Sequence, residues 1–171
     1  MNKPLFSIIT VCFNAEELIE KTIQSVLEQT CQDYEYIIID GASTDGTLNI
    51  IKRYKNKINI VVSEPDSGIY DAMNKGAKLA SGKYLYYLNA GDWFYDKEVL
   101  KNTSREISIY HPDLIYGKTN VVEFNIGQAV IRGRMIKNEE IKRGKPINHQ
   151  AMFVSNQIFN QLGGFNTEFK I

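Results

Sequence analysis

Four short apolar runs, each closing in a small polar cluster, constrain this chain more than any other feature. The clusters are Thr10-Val11-Cys12-Phe13-Asn14, Asp40-Gly41-Ala42-Ser43-Thr44-Asp45-Gly46, Asp66-Ser67-Gly68-Ile69-Tyr70-Asp71 and Asn89-Ala90-Gly91-Asp92-Trp93. All but the last directly precede a helical pattern. Residues 5–13 are apolar and β-branched, which predicts a buried strand. Ile19, Ile23, Val26 and Leu27 then recur at helical spacing, with Asn14 as the expected cap and Glu16 and Glu17 at the positive end. A second strand is predicted over 34–40. Ser43, Thr44 and Asp45 offer caps and turns for a helix carrying Leu48, Ile51 and Tyr54. A third strand over 58–63, a third helix over 69–80 closed by Gly82 and a fourth strand over 84–88 complete the series. This alternation predicts a mainly parallel sheet with right-handed crossovers. The ligand crevice of such a sheet lies outside the carboxyl ends of its strands. The four polar loops then converge on one place, whose acids, glycines and helix N-termini suit a nucleotide diphosphate and a divalent metal.

After Asp92 the rhythm changes. A helix is predicted over 97–108, and strands over 114–124 and 129–133 joined as a hairpin through Asn125-Ile126-Gly127. Residues 135–145 carry Lys137, Lys142, Arg143 and Lys145 on a weak pattern and read as a loop, either solvated or facing a membrane or an acceptor. A short strand over 151–154 and a helix over 155–162, ended by Gly163-Gly164, close the reading. The second half is thus an α+β appendage to the first, within one domain.

Bulk properties remove several classes of function. Lys+Arg and Asp+Glu both count 20 in 171 residues, so no global field favours nucleic acid. No apolar run approaches the roughly 20 residues that span a bilayer, and Lys3-Pro4 leads straight into a strand pattern rather than a leader. Two cysteines argue for a reducing compartment, with Cys12 a small buried hydrophobe. Together these predict a cytoplasmic protein. A dinucleotide oxidoreductase needs G-x-G-x-x-G after the first strand, where Asn14-Ala15-Glu16 has no glycine. No P-loop motif is present, and the basic glycine-rich loop of a nucleotidyltransferase is missing near the N-terminus.

Four segments carry a resemblance. They are residues 7–14, the run Asp40 to Thr47, Gly68-Ile69-Tyr70-Asp71-Ala72-Met73-Asn74-Lys75-Gly76, and Leu88-Asn89-Ala90-Gly91-Asp92. Each is weak alone; in this order and spacing they resemble the inverting glycosyltransferases of family 2, of GT-A fold. The resemblance is closest to the branch that assembles bacterial polysaccharides and capsules. It implies a Rossmann-like, mainly parallel sheet flanked by helices, with residues 1–95 binding the nucleotide sugar and 96–171 forming a small α+β acceptor-side half. It implies hexosyl transfer, with inversion, from a nucleotide donor to a saccharide or lipid-linked acceptor. A lipid-linked acceptor would bring the protein to the inner face of the cell membrane.

The resemblance also implies roles for particular residues. Asp40 accepts a hydrogen bond from uracil N3–H, which favours UDP, since a carboxylate only accepts. Thr10, Phe13 and Asn14 line the base and ribose, and Asp66 approaches the same part. Asp71, Asn74 and Lys75 share a helix face toward sugar or diphosphate, although Met73 stands where relatives carry a basic residue. An Asp71–Lys75 surface pair is the competing reading. Asn89-Ala90-Gly91-Asp92 occupies the metal motif with one carboxylate instead of two: Asp92 would bind Mn²⁺ or Mg²⁺, with Asn89 and Gly91 at the ribose or diphosphate. His149 and Gln150 fall on the acceptor side. The general base of the family follows the Gly163-Gly164-Phe165 turn and is expected beyond Ile171. A noncatalytic sugar-nucleotide-binding fragment is the rival reading.

Overall fold

The computed structural model describes residues 3–123, 128–132, 139–140, 143 and 149–169. The first half follows the predicted alternation: β1 (Phe6–Cys12), α1 (Ile19–Leu27), β2 (Tyr34–Asp40), α2 (Thr47–Arg53), a 3-10 turn (Lys55–Lys57), β3 (Ile60–Ser63), α3 (Ile69–Leu79) and β4 (Tyr84–Tyr87). Then come α4 (Val99–Tyr110), β5 (Leu114–Tyr116), β6 (Thr119–Glu123), β7 (Gln128–Arg132), a 3-10 turn (His149–Ala151), β8 (Met152–Ser155) and α5 (Asn156–Gln161).

Six strands form one sheet in the order β3-β2-β1-β4-β8-β5. The β1–β4 strands are parallel, and β8 runs antiparallel to both of its neighbours. All seven residues of β1 are buried, as a strand covered on both faces requires. Phe6, Ile8 and Cys12 pack toward α1 and α4, whereas Ile9 and Val11 pack toward α3 and α5. β2 divides in the same way, with Tyr36 and Ile38 on one side and Ile37 and Ile39 on the other. The strand order reverses direction between β1 and β4. That switch point is where a sheet of this kind leaves a crevice.

The structure corrects several local expectations. Asn14 does not cap α1, which begins five residues later with no side-chain cap. Gly82 is not a helix stop: a Cβ there would lie 2.7 Å from Phe6 C and Ser7 N, so only glycine admits this close approach. Its N–H and that of Ser81 donate to Glu35, which also takes the Ser7 hydroxyl. The single strand predicted over 114–124 is broken at Gly117-Lys118. Its first part joins the main sheet and its second forms the expected hairpin with β7. The hairpin turn and most of the basic 135–145 segment lie outside the described residues. Among the described residues, no helix is long and apolar enough to cross a membrane.

Candidate active site

Every one of the four loops that leave β1–β4 contains a residue in the left-handed region: Asn14 (φ 46°), Ala42 (φ 63°), Gly68 (φ 119°) and Gly91 (φ 97°). Two of these are not glycine, and such conformations persist only where surrounding contacts over-determine them. The contacts are present. Asn14 N–H donates to Ser43 Oγ at 2.8 Å, and Asn14 Oδ1 accepts from Thr44 N–H at 2.9 Å. Glu16 N–H donates to Asp45 Oδ2, while Glu16 Oε2 accepts from Gly46 N–H. The β1 and β2 loops are therefore latched to each other by reciprocal bonds, with Ser43, Thr44 and Asp45 in structural roles.

Asp40 ends β2 at 0% exposure. Its Oδ2 accepts from Ser43 N–H (3.0 Å) and Ser63 Oγ (2.6 Å), and its Oδ1 from Ser43 Oγ (2.5 Å). The remaining acceptor position faces the Cys12 thiol at 3.6 Å, a weak donor. Burial pushes that thiol well above its ordinary pKa, with the Asp40 charge adding to it, so Cys12 is an inert core group. Thr10 is also 0% exposed. Its hydroxyl pairs with Tyr36 OH at 3.0 Å inside the sheet. The side chain faces the core and is not available to a base or ribose.

Phe13 is presented outward, 62% exposed. Its ring and Asp66 meet over Gly41: a Cβ on Gly41 would lie 2.6 Å from Asp66 Oδ2 and 3.4 Å from Phe13 Cδ2. Asp66 Oδ1 is used by Gly68 N–H, which leaves Oδ2 above that glycine. Phe13, Gly41 and Asp66 thus come together at the ends of adjacent strands.

The α3 residues are engaged elsewhere. Asp71 accepts from Ser67 N–H at 3.0 Å, and that bond, with the Lys75 charge, holds its carboxyl below the usual range. Lys75 meets Glu64 (3.0 Å), Pro65 O (2.8 Å) and Asp71 (3.5 Å), so its three donors are committed to the β3–α3 loop. Asn74 exchanges two 2.9 Å bonds with the backbone N–H and C=O of Phe165. These three side chains secure the loop before α3 and the Gly163-Gly164-Phe165 turn. The Asp71–Lys75 pair is formed.

At the end of β4 the predicted residues do converge. Asp92 Oδ2 accepts from Gln150 Nε2 at 3.1 Å, across 58 positions of sequence. Burial pushes the Asp92 carboxyl above its ordinary pKa, while the Gln150 bond and the nearby His149 offset part of the rise. Asn89 Oδ1 is buried and has no hydrogen-bond partner among the described residues, although Asp92 N–H reaches the Asn89 carbonyl at 2.9 Å. Gly91, with its positive φ, donates its N–H to Thr22 Oγ1, and Thr22 Oγ1 donates to Asp92 O. α1 therefore fixes this turn. Trp93 beside it carries Lys21 Nζ 3.2 Å above its ring.

One half-buried carboxylate and one orphaned amide oxygen are hard oxygen donors, and they fit Mg²⁺ or Mn²⁺ that completes its shell with phosphate oxygens and water. No group of three His, Cys, Asp or Glu side chains gathers among the described residues. A metal held here would depend on the nucleotide. Sequence reasoning missed Ser63, whose hydroxyl supports Asp40 from the neighbouring strand; nothing in its local pattern marks it.

The family description "Glycosyl transferase family 2" matches residues 7–162. A "PGL/p-HBAD biosynthesis glycosyltransferase" of Mycobacterium bovis is 33% identical, covering 100% of this chain and 67% of that protein. A "Putative teichuronic acid biosynthesis glycosyltransferase TuaG" of Bacillus subtilis is 42% identical over 99 residues, 56% of this chain and 39% of that protein. Among solved structures, S. aureus TarS in complex with UDP-GlcNAc superposes with a TM-score of 0.76 at 22% identity, over 92% of this chain and 47% of that one. A mannosyltransferase from Pyrobaculum calidifontis in complex with GDP-Man and Mn²⁺ gives 0.72 at 19% identity, over 98% and 49%. At such identities the structures establish the fold, a GT-A-like sheet, and this chain spans about half the length of each. With the family match covering most of the sequence and the site at the strand ends where the fold requires it, the chain belongs to glycosyl transferase family 2.

Proposed function

We propose that this chain binds a nucleotide-diphosphate sugar across the carboxyl ends of β1–β4 and forms the donor side of an inverting glycosyltransferase. The acceptor is a saccharide or a lipid-linked saccharide in the assembly of a cell-surface polysaccharide. The observation that carries the reading is the β4 turn, where Asp92 is held half-buried by Gln150 beside the unpartnered Asn89 Oδ1. A buried acceptor left without a donor, as Asn89 Oδ1 is among the described residues, is costly, and a phosphate-bound cation relieves it. The solved relatives with UDP-GlcNAc and with GDP-Man and Mn²⁺ support a nucleotide sugar and a divalent ion in this fold.

In this arrangement Phe13 offers its exposed face to the base, and Asp66 Oδ2 accepts from the ribose or base edge. Asp40, buried and held by Ser43 and Ser63, supports this wall from beneath, and UDP is preferred to GDP because the neighbour solved with UDP-GlcNAc is nearer in sequence than the one solved with GDP-Man, 22% against 19% identical. Asp92 and Asn89 hold the divalent ion, and Gly91 lets the backbone come close to the diphosphate. Such an ion neutralises charge on the departing nucleotide. His149 and Gln150 stand on the acceptor side of Asp92. A thermal-shift series with UDP, GDP and dTDP, each with Mn²⁺ and with EDTA, tests the reading. Binding to the native state raises the midpoint, so UDP with Mn²⁺ is expected to give the largest rise. No rise with any nucleotide would contradict the proposal, and a larger rise with GDP would overturn the choice of base.

A further inference from the structure

A cavity of about 920 Å³ lies beside the strand-end crevice, walled by α4, β5, β6, β8 and the turn after β4. Its size suits a small-molecule ligand. Asp92 and Gln150 form part of its wall, whereas the loops after β1, β2 and β3 contribute nothing to it. The cavity therefore opens on the β4 turn from the side away from the proposed nucleotide.

Its chemistry has two components. One is aromatic: Trp93 and the exposed Tyr95 line the space, backed by a buried stack in which Tyr86 lies between Phe94, at 5.0 Å between centroids, and Phe153, at 4.3 Å. The faces of aromatic rings carry negative potential, which complements the weakly positive C–H edges of a pyranose. The other component is cationic. Arg105 on α4 and Lys118 before β6 both line the cavity, and neither forms a salt bridge among the described residues. Glu106 shares the wall, and Asp92 is held by Gln150.

Resting on the glycosyl-transfer reading, we propose that this cavity is the acceptor site and that its ligand is an anionic saccharide. The sugar ring packs on the aromatic wall. Its carboxylate or phosphate is held by Arg105 and Lys118, the guanidinium offering a two-pronged match to either anion.

Trp93 is the only tryptophan in the chain and reports on this cavity by its fluorescence. The chain is titrated with cellobiose, cellobiouronic acid, cellobiose 6′-phosphate and inorganic phosphate, with calorimetry in parallel. At least one anionic disaccharide is expected to bind about tenfold or more tightly than cellobiose, as a charge-assisted bond allows. The order of uronate and phosphate identifies the source of the anion. Arg105→Ala and Lys118→Ala, checked for folding by circular dichroism, are each expected to weaken that binding about fivefold or more. Equal affinity for neutral and anionic disaccharides would overturn the proposal. So would inorganic phosphate binding as tightly as the sugar phosphate, indifference to both substitutions, or no heat or fluorescence change up to about 10 mM, near the weak limit of specific binding. A UDP titration with Mn²⁺ on the same protein separates the two readings. UDP binding without saccharide binding removes only the cavity assignment, and saccharide binding without nucleotide binding removes only the transfer reading.

Discussion

Asp92 and Asp40 show how one residue type takes opposite roles at two strand ends. Asp40 is saturated by Ser43, Ser63 and the Cys12 thiol and has become part of the loop. Ser63→Ala would leave one lone pair of a buried carboxylate unmet. It is expected to lower stability by about 1–3 kcal/mol, read from denaturant unfolding. Asp92 is the under-served acid. Its pKa lies above the ordinary value because burial penalises the charge, so the ionised form costs the folded protein stability at neutral pH. That cost disappears as pH falls through the raised pKa. Asp92→Asn, measured without metal, is therefore expected to melt higher than the wild type near pH 7, with the difference closing below the carboxylate range. The same substitution is expected to abolish metal-dependent nucleotide binding, and wild-type affinity should already fall on acidification above the usual carboxylate range. Ala42 adds a backbone case. Its φ of 63° costs an alanine roughly 1–2 kcal/mol, partly offset by the greater unfolded-state freedom of glycine. Ala42→Gly should raise stability by up to about 1 kcal/mol by thermal unfolding.

At the scale of elements, Asp71, Asn74 and Lys75 of α3, expected to face the donor, pin elements together. Helical spacing correctly put Asp71, Asn74 and Lys75 on neighbouring turns. It could not show that Phe165, 91 positions away, would take both functions of the Asn74 amide. Asn74→Ala should release the Gly163-Gly164-Phe165 turn and cost about 1–3 kcal/mol, with hydrogen exchange accelerating first at the Phe165 amide. Helix starts were the other blind spot. Local pattern offers Asn14 as a cap, yet its side chain crosses to Thr44 in the next loop, a long-range contact with no local trace. β8 had the same origin. A short apolar run signals a strand, but not that it lies antiparallel between β4 and β5.

For the molecule as a whole, the alternation of apolar runs and helical patterns was enough to place the parallel sheet and its crevice, because a βαβ chain has few permitted topologies. The four strand-end loops were legible for the same reason: their polar clusters interrupt buried strands where no core needs them. Of the residues named from sequence at the β4 turn, Asp92 meets Gln150 and lies near His149, with Asn89 and Gly91 in the same turn. Thr10 does not join them: its hydroxyl pairs with Tyr36 on the neighbouring strand, a cross-strand contact with no local trace in the sequence. The cavity beneath α4 was invisible in sequence, because its wall draws on five separate stretches.

The most direct test of the central claim is a calorimetric titration of this chain with UDP in Mn²⁺, repeated in EDTA and with Asp92→Ala. The account predicts binding with Mn²⁺ that weakens at least about tenfold in EDTA and in the variant, the loss of one charged ligand being worth at least ~1.4 kcal/mol. Affinity for UDP that is unchanged by both the chelator and the substitution would contradict it.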